Sequence, residues 1–597
     1  MTRDATVFAA LCTLAVVAIV LGVRWFGPHD LYEKDQPKTM AYTADVVLNH
    51  RFALPRDVIY QPATKPPMYN WIGAAVVQTT GVWSEWTLKC PSVLGVLATG
   101  AIVFAMARRA TQSVDTAAVI VGLLAVGVWF TFGSNVRHGS VLRLSYLARP
   151  DMLLCAFVTG AWACFTIAIE RPTLRKAFAP AVGGWLCVTA AALTKGPAAL
   201  MPIAFALLYP LLLSRAPTVA SDERNGAEPH TPFTPVPQTD GLLRRYARLW
   251  LPLGLPIVVL GVGTWLTFIM RQDETHFRQV IWGAEVASRL TEKSPEGFVS
   301  PPYQSVMWFV TKAQPWGAIA LGGLLASVCV PRLRRIAGPA ALYLAIVLIG
   351  LSLPAGKRQD YLLVTYPPAA VLLAVFVADL VRFRVVAAAA LVGLVGVMIN
   401  ESVWLALRLN HSGITGRIDW PVLGAVGVLA VLAFVVERRR RLPLAAFAVV
   451  PLLLAAMLGR QHWTKSIEAQ SRWSDRAVAF AADVRRIVRP DQRLLVLVRG
   501  KHPLTTLLGR HPGSYLTRQD LAASEFVILP VQPDLQAERL SGPLPVGFET
   551  LETRELAVLG LYRNVPIDRL VELQRRVGVW TAEENPYHAP DTVYRED

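Results

Sequence analysis

Long runs of Leu, Val, Ala and Ile without a charge recur along the chain, from AVVAIVLGV near the start to AALVGLVGVM close to residue 390. A helix needs roughly 20 such residues to cross the hydrocarbon of a bilayer. Only 17% of the 597 residues are charged and 53% are hydrophobic, where a soluble chain carries about a quarter charged. The runs therefore predict an all-α polytopic membrane protein. About thirteen candidate spans can be drawn, at 5–26, 90–107, 115–133, 151–169, 177–194, 197–214, 249–269, 306–330, 337–353, 361–378, 385–400, 420–436 and 442–459. The first has no small-residue cleavage site after it and reads as a retained helix rather than a signal peptide.

The basic residues then set the orientation. Arg108–Arg109, Arg171/Arg175/Lys176, Arg244/Arg245/Arg248, Arg332/Arg334/Arg335, Arg382/Arg384 and Arg438–Arg441 all fall on one side if the spans alternate. Short basic loops face the cytoplasm. The net charge of +17 is thus a topology signal, not a sign of nucleic-acid binding. The N-terminus lies inside, and the first loop, the 270–305 loop and the C-terminus lie outside. The six cysteines, Cys12, Cys90, Cys155, Cys164, Cys187 and Cys329, sit in or beside apolar runs with no metal-ligand spacing, and read as small buried apolar residues.

Three regions depart from the apolar pattern. A first extracytoplasmic loop, 27–89, is polar and aromatic. Residues 215–247 begin with a Pro-, Thr- and Asp-rich stretch and form a cytoplasmic linker without chemistry of its own. From 461 to 597 the character changes: SRWSDRAVAFAADVRRIV has helical periodicity, while RLLVLVRG and SEFVILP have strand composition. That tail is expected to be a small extracytoplasmic α/β domain following a transmembrane domain of 1–460.

Several short outer segments are basic against the rule. Arg137, Arg143 and Arg149 precede the fourth span, Lys195 sits in LTKGP, and Lys357-Arg358 sit in LPAGKRQDY. Snorkelling to headgroups explains any one of them. As a group in separate tight turns they suit convergence on a phosphate, Arg as a bidentate fork and Lys as a point charge. Carboxylates accompany them: Asp35 in the first loop, Asp151 after Arg149-Pro150, Glu285 beside Arg289, and Asp360. A carboxylate beside cations stays ionised and suits activation of a hydroxyl. For Glu285 and Asp360 a structural ion pair is the preferred reading.

These residues occur in the order of known motifs. Asp35-Gln36 through Pro55 resembles an acidic-pair motif. Thr64-Lys65-Pro66-Pro67 with Tyr69 and Trp71 resembles a Glu-Lys-Pro-Pro turn, and Trp86 to Ser92 an approach to the second span. Asp151 heads the fourth span. Leu193–Pro197 matches Leu-Thr-Lys-Gly-Pro, and Lys357, Arg358, Tyr361, Leu362, Leu363, Tyr366 and Pro367 match a Lys-Arg-x-x-Tyr-Leu-Leu-x-x-Tyr-Pro motif. In this combination the chain resembles the integral-membrane C-class glycosyltransferases of the protein O-mannosyltransferase superfamily, and among them bacterial 4-amino-4-deoxy-L-arabinose lipid A transferases.

The resemblance implies a thirteen-span fold with an outer C-terminal domain, and an inverting transfer of sugar from a polyprenyl-phosphate donor. The acceptor would be a membrane glycolipid such as lipid A, or another glycan or protein. Asp35 would be the general base or a carboxylate that orients the acceptor, with Asp151 in support. Lys65, Lys195, Lys357, Arg358 and Tyr361 would hold the donor phosphate. Arg149, Glu285 and Arg289 would serve the acceptor or the structure. The second acid of the pair is Gln36 here. The Glu that helps such transferases hold a divalent metal is Thr64, so no cofactor is carried over. Two rival readings remain: a flippase for a lipid-linked saccharide, which would place its site near the midplane on broken helices, and an inactive glycolipid-binding relative.

Overall fold

The computed structural model describes residues 36–56, 62–111, 116–133, 141–145, 147–171, 173–214, 252–287, 300–313, 316–380, 472–489, 492–496, 525–530, 537–540, 544–545 and 558–570. The candidate spans at 5–26, 385–400, 420–436 and 442–459, and the 215–247 linker, lie outside these residues. So do Asp35, Arg137 and Arg289.

Helices dominate. In chain order they are α1 (Gln36–Asn49), α2 (Met68–Thr80), α3 (Glu85–Ala110), α4 (Thr116–Thr131), α5 (Val141–Ser145), α6 (Asp151–Glu170), α7 (Leu174–Lys195), α8 (Leu200–Ser214), α9 (Thr264–Gln272), α10 (Gln304–Lys312), α11 (Gly317–Cys329), α12 (Pro331–Ser352), α13 (Tyr366–Leu380) and α14 (Arg472–Ile487). Among the described residues, Glu85–Ala110, Asp151–Glu170, Leu174–Leu211, Pro252–Gln272 and Gln359–Ala378 are long and apolar enough to cross a bilayer. Val121–Thr131, Gly317–Cys329 and Ile336–Ser352 are shorter apolar helices. The chain is a multi-pass membrane protein.

The span drawn at 306–330 is two helices, α10 and α11, with Pro315 in the interval. The restart depends on Gly317, where a Cβ would lie 1.9 Å from the carbonyl oxygen of Phe309. The spans at 177–194 and 197–214 are joined through Gly196, whose φ of +63° is open to glycine at little cost.

The chain divides into two compact units, one of 1–25, 93–146 and 151–462, the other of 26–92, 147–150 and 463–597. In the first, α6 is buried almost all round and is the central helix. Its antiparallel neighbour α7 lies against it so closely that a Cβ on Gly184 would meet the Phe165 ring at 2.2 Å. At the end of α6 away from Asp151, Glu170 accepts from Arg109 Nη2 at 2.7 Å and from Tyr209 Oη at 2.9 Å. These bonds join α3, α6 and α8. Around the site, Phe132 stacks on Tyr366 with ring centres 4.8 Å apart, and Trp316 Nε1 donates to Thr131 Oγ1 at 2.6 Å.

In the second unit α1 packs on α2, and neutral side chains tie the loop segments. The Gln36 side-chain oxygen accepts from the backbone N–H of Ala148 at 2.8 Å. Ser92 Oγ reaches the carbonyls of Leu147 and Arg149 at 2.5 and 3.1 Å. Fully buried Asp45 accepts from Asn49 Nδ2 and from the Arg56 N–H, both at 2.7 Å. Glu85 and Lys89, one turn apart on α3, form a buried ion pair. The tail folds as expected from its composition, with α14 and a small mixed sheet. β1 (Leu494–Val496) runs parallel to β2 (Phe526–Pro530). β5 (Val558–Arg563) pairs antiparallel with β2 and with the short β3 (Glu538–Arg539) and β4 (Leu544–Pro545).

Candidate active site

The antiparallel pairing of α6 and α7 places the first residue of one beside the last residue of the other. Those residues are Asp151 and Lys195. Lys195 Nζ donates to Asp151 Oδ1 at 2.5 Å, with the two side chains 14% and 4% exposed. The carboxylate heads its helix and the ammonium ends its own, so both helix dipoles favour the charges they carry. Lys195 Nζ also lies 5.0 Å from the centre of the Tyr361 ring, within range of a cation–π contact.

Tyr361 comes from a short 3₁₀ turn, Gln359–Thr365, that leads into α13. The same turn carries Asp360, which is buried, and Arg358 Nε stands 3.9 Å from its Oδ1. The guanidinium is half exposed. Lys357 turns back into its own loop, donating to the carbonyls of Ser300 at 3.0 Å and Pro354 at 2.7 Å. An ammonium has three donors, so one remains for a ligand. Burial pulls this ammonium below the ordinary lysine range, because a partly dry site penalises the charged form.

The first unit thus brings together Asp151, Lys195 and Tyr361, with Asp360 and Arg358 on the turn beside them. The ion pair read for Asp360 is present, and it sits within this corner. Lys65 is half buried in the turn before α2, and Arg149 is buried in the 147–150 segment, both in the second unit. Glu285 lies on a π-helical stretch, Phe277–Ala287. Among the described residues no three His, Cys, Asp or Glu side chains cluster as metal ligands would, and Thr64, in the turn before α2, carries a neutral hydroxyl.

Sequence reasoning passed over Asp45, took Ser92 only as the end of the motif before the second span, and took Gln36 only as a departure. Asp45 had one local signal, its i,i+4 spacing to Asn49 on α1. Gln36 and Ser92 act through backbone groups 112 and 57 positions away. Nothing in their neighbourhood announces such partners.

The bundle of apolar helices with a charged corner at the helix ends has counterparts among known families and solved structures. Residues 64–222 match the family model for dolichyl-phosphate-mannose-protein mannosyltransferases. Among solved structures the chain is similar to ArnT from Cupriavidus metallidurans bound to undecaprenyl phosphate, with TM-score 0.65, 15% identity, and coverage of 93% of this chain and 97% of that one. The apo form of the same protein gives TM-score 0.62, 16% identity and coverage of 94% and 98%. The likeness to ArnT is one of fold, and it meets the resemblance read from the motifs. No curated protein sequence matches.

Proposed function

We propose that the chain is an inverting glycosyltransferase that moves a sugar from a polyprenyl-phosphate donor to an extracytoplasmic acceptor at the bacterial inner membrane. The observation that carries this reading is the Asp151–Lys195 pair, held between two helix ends under the Tyr361 ring. Its charge sits at a helix-bundle end, where a lipid phosphate would lie, and not along a midplane path. That favours transfer over flipping.

In the reaction the bond from the sugar C1 to the phosphate oxygen breaks, and the acceptor hydroxyl attacks C1 from the opposite face. The leaving phosphate gains negative charge. Preorganised cations in a partly dry site stabilise it most effectively. Lys195, Arg358, Lys357 and Lys65 supply that charge, and Tyr361 a hydroxyl donor. Asp35 takes the proton of the acceptor hydroxyl. Asp151 fixes the Lys195 ammonium. Arg149, Glu285 and Arg289 serve the acceptor or the loops. The transmembrane part is 1–460 with a first extracytoplasmic loop at 27–89, 215–247 is a cytoplasmic linker, and 461–597 is an extracytoplasmic α/β domain. The acceptor is a lipid A-like glycolipid or another glycan or protein.

The test is Asp35→Asn in a strain otherwise lacking the protein. With insertion and thermal stability unchanged, mass spectrometry of lipids and glycans should show the glycosylated product lost. Undiminished product would remove Asp35 from the mechanism.

A further inference from the structure

Asp45 is fully enclosed, and no step of the reaction uses it. A carboxylate taken out of water is costly unless donors meet its charge. Here Oδ1 accepts from Asn49 Nδ2 and Oδ2 from the Arg56 backbone N–H, each at 2.7 Å, and Arg51 Nη1 stands 3.6 Å from Oδ1. Asn49 ends α1 itself, but Arg51 and Arg56 belong to the segment that follows it. The buried charge therefore binds that segment back onto its own helix.

The segment is tied again beyond Arg56. Arg56 pairs with Pro62 in an antiparallel bridge, and the Ala63 N–H donates to the Pro55 carbonyl at 2.8 Å. Tyr42 Oη donates to the Pro62 carbonyl at 3.4 Å. Tyr42 and Asp45, three apart, share a face of α1. They hold the two sides of the bridge, Asp45 through Arg56 and Tyr42 through Pro62. From α2, Trp71 Nε1 holds the near end of the segment at the Phe52 carbonyl, at 2.7 Å.

Only Thr64, Lys65 and Pro66 separate Ala63 from Pro67. Pro67 is fixed in turn: it caps α2, and its carbonyl accepts from the Trp71 N–H at 2.9 Å. Thr43 Oγ1 on α1 donates to Asn70 Oδ1 on α2 at 3.3 Å. Pro66 also confines the Lys65 backbone to extended conformations. The stem of Lys65 thus starts from a backbone held on both sides, and the hold on its N-terminal side rests on Asp45.

We propose that Asp45 is a positioning residue for Lys65, fixing where that ammonium meets the donor phosphate. The inference rests on the reading of Lys65 as a phosphate contact. Without the Asp45 carboxylate, Arg56 is released from α1, and the bridge that leads into Lys65 shifts with it. A displacement of about 1 Å, begun far from the reacting atoms, costs up to roughly 10²-fold in rate.

The test is a double-mutant cycle on binding of undecaprenyl phosphate, using the full-length protein in lipid nanodiscs and correcting for folded fraction. Asp45→Ala should weaken binding about tenfold in the wild-type background, and less than about twofold where Lys65→Gln is already present. Asp45→Asn keeps an oxygen for the Arg56 N–H, and the Asn49 amide turns to accept from the new NH2, so most of the affinity should return. Glu85→Ala, destabilising for a different reason, should show no coupling to Lys65→Gln. If Asp45→Ala does not fold, Tyr42→Phe reads the same coupling at about two- to threefold. Equal losses in both backgrounds, or no loss from either variant, would overturn the positioning role. Lys65→Gln binding as wild type does would instead remove Lys65 from phosphate binding, and this inference with it.

Discussion

Two buried lysines, each with a carboxylate partner, show how differently one ion pair can be used. Lys89 is fully enclosed, and its partner Glu85 stands one turn earlier on the same helix. Lys195 keeps 14% of its side chain exposed, and its partner Asp151 begins a different helix. The first pair joins two residues of the same helix, α3, and its ammonium is fully enclosed. The second exists only because α6 and α7 run antiparallel with matched ends. It stands where helix dipoles, the Tyr361 ring and the Arg358 turn converge. A charge that serves structure is closed off within one element. A charge suited to chemistry is assembled from several and left partly open.

The comparison can be broken at either pair. Asp151→Asn should lower sugar transfer per folded molecule by roughly 10²-fold or more, the scale set by removing one preorganised charge from such a site. Labelled-sugar transfer in membranes measures it. Glu85→Ala should instead leave the Lys89 ammonium buried beside an apolar stub, and cost about 3–5 kcal/mol of stability. Turnover of the surviving folded protein should be unchanged. Thermal unfolding in nanodiscs set against specific activity separates the two outcomes. If Glu85→Ala lost activity without stability, the contrast would collapse.

Gln36 sharpens the same contrast with a neutral group. Gln36→Ala strands the Ala148 N–H and should cost about 1–3 kcal/mol. Gln36→Glu keeps an acceptor oxygen but puts a carboxylate in a fully buried position without the amide's N–H donors, so it should destabilise as well. Protection of the Ala148 amide from hydrogen exchange reports both.

The smallest effect concerns pH. Burial depresses the Lys357 pKa, so on raising the pH its charge is lost before an ordinary lysine would lose its own. Donor affinity should therefore fall on the alkaline side. Lys357→Arg should move that fall to higher pH, because arginine keeps its proton. A pH profile unchanged by the substitution would take Lys357 out of phosphate binding.

Much of this was legible from residues. Apolar runs marked the helices, and the tight LTKGP link implied that Asp151 and Lys195 share one end of neighbouring spans. RLLVLVRG and SEFVILP carried their strands by composition. Other features depend on long-range geometry. Whether Lys357 aims at a ligand or at the Ser300 carbonyl is decided by a loop 57 positions away. The break between α10 and α11 was hidden because both helices are apolar and hydropathy does not register a proline. Asp45 and Lys89 look like surface charges by type, and only packing encloses them.

The most direct test is binding of undecaprenyl phosphate itself, followed by native mass spectrometry on the full-length protein in lipid. Wild type should bind the lipid saturably. Lys195→Gln and Arg358→Gln should each weaken it about tenfold or more, the effect of roughly 1.4 kcal/mol, while Lys89→Gln, corrected for its folded fraction, should bind as wild type does. Equal binding by all four proteins would contradict the account, because the corner under Tyr361 would then not be where the phosphate sits.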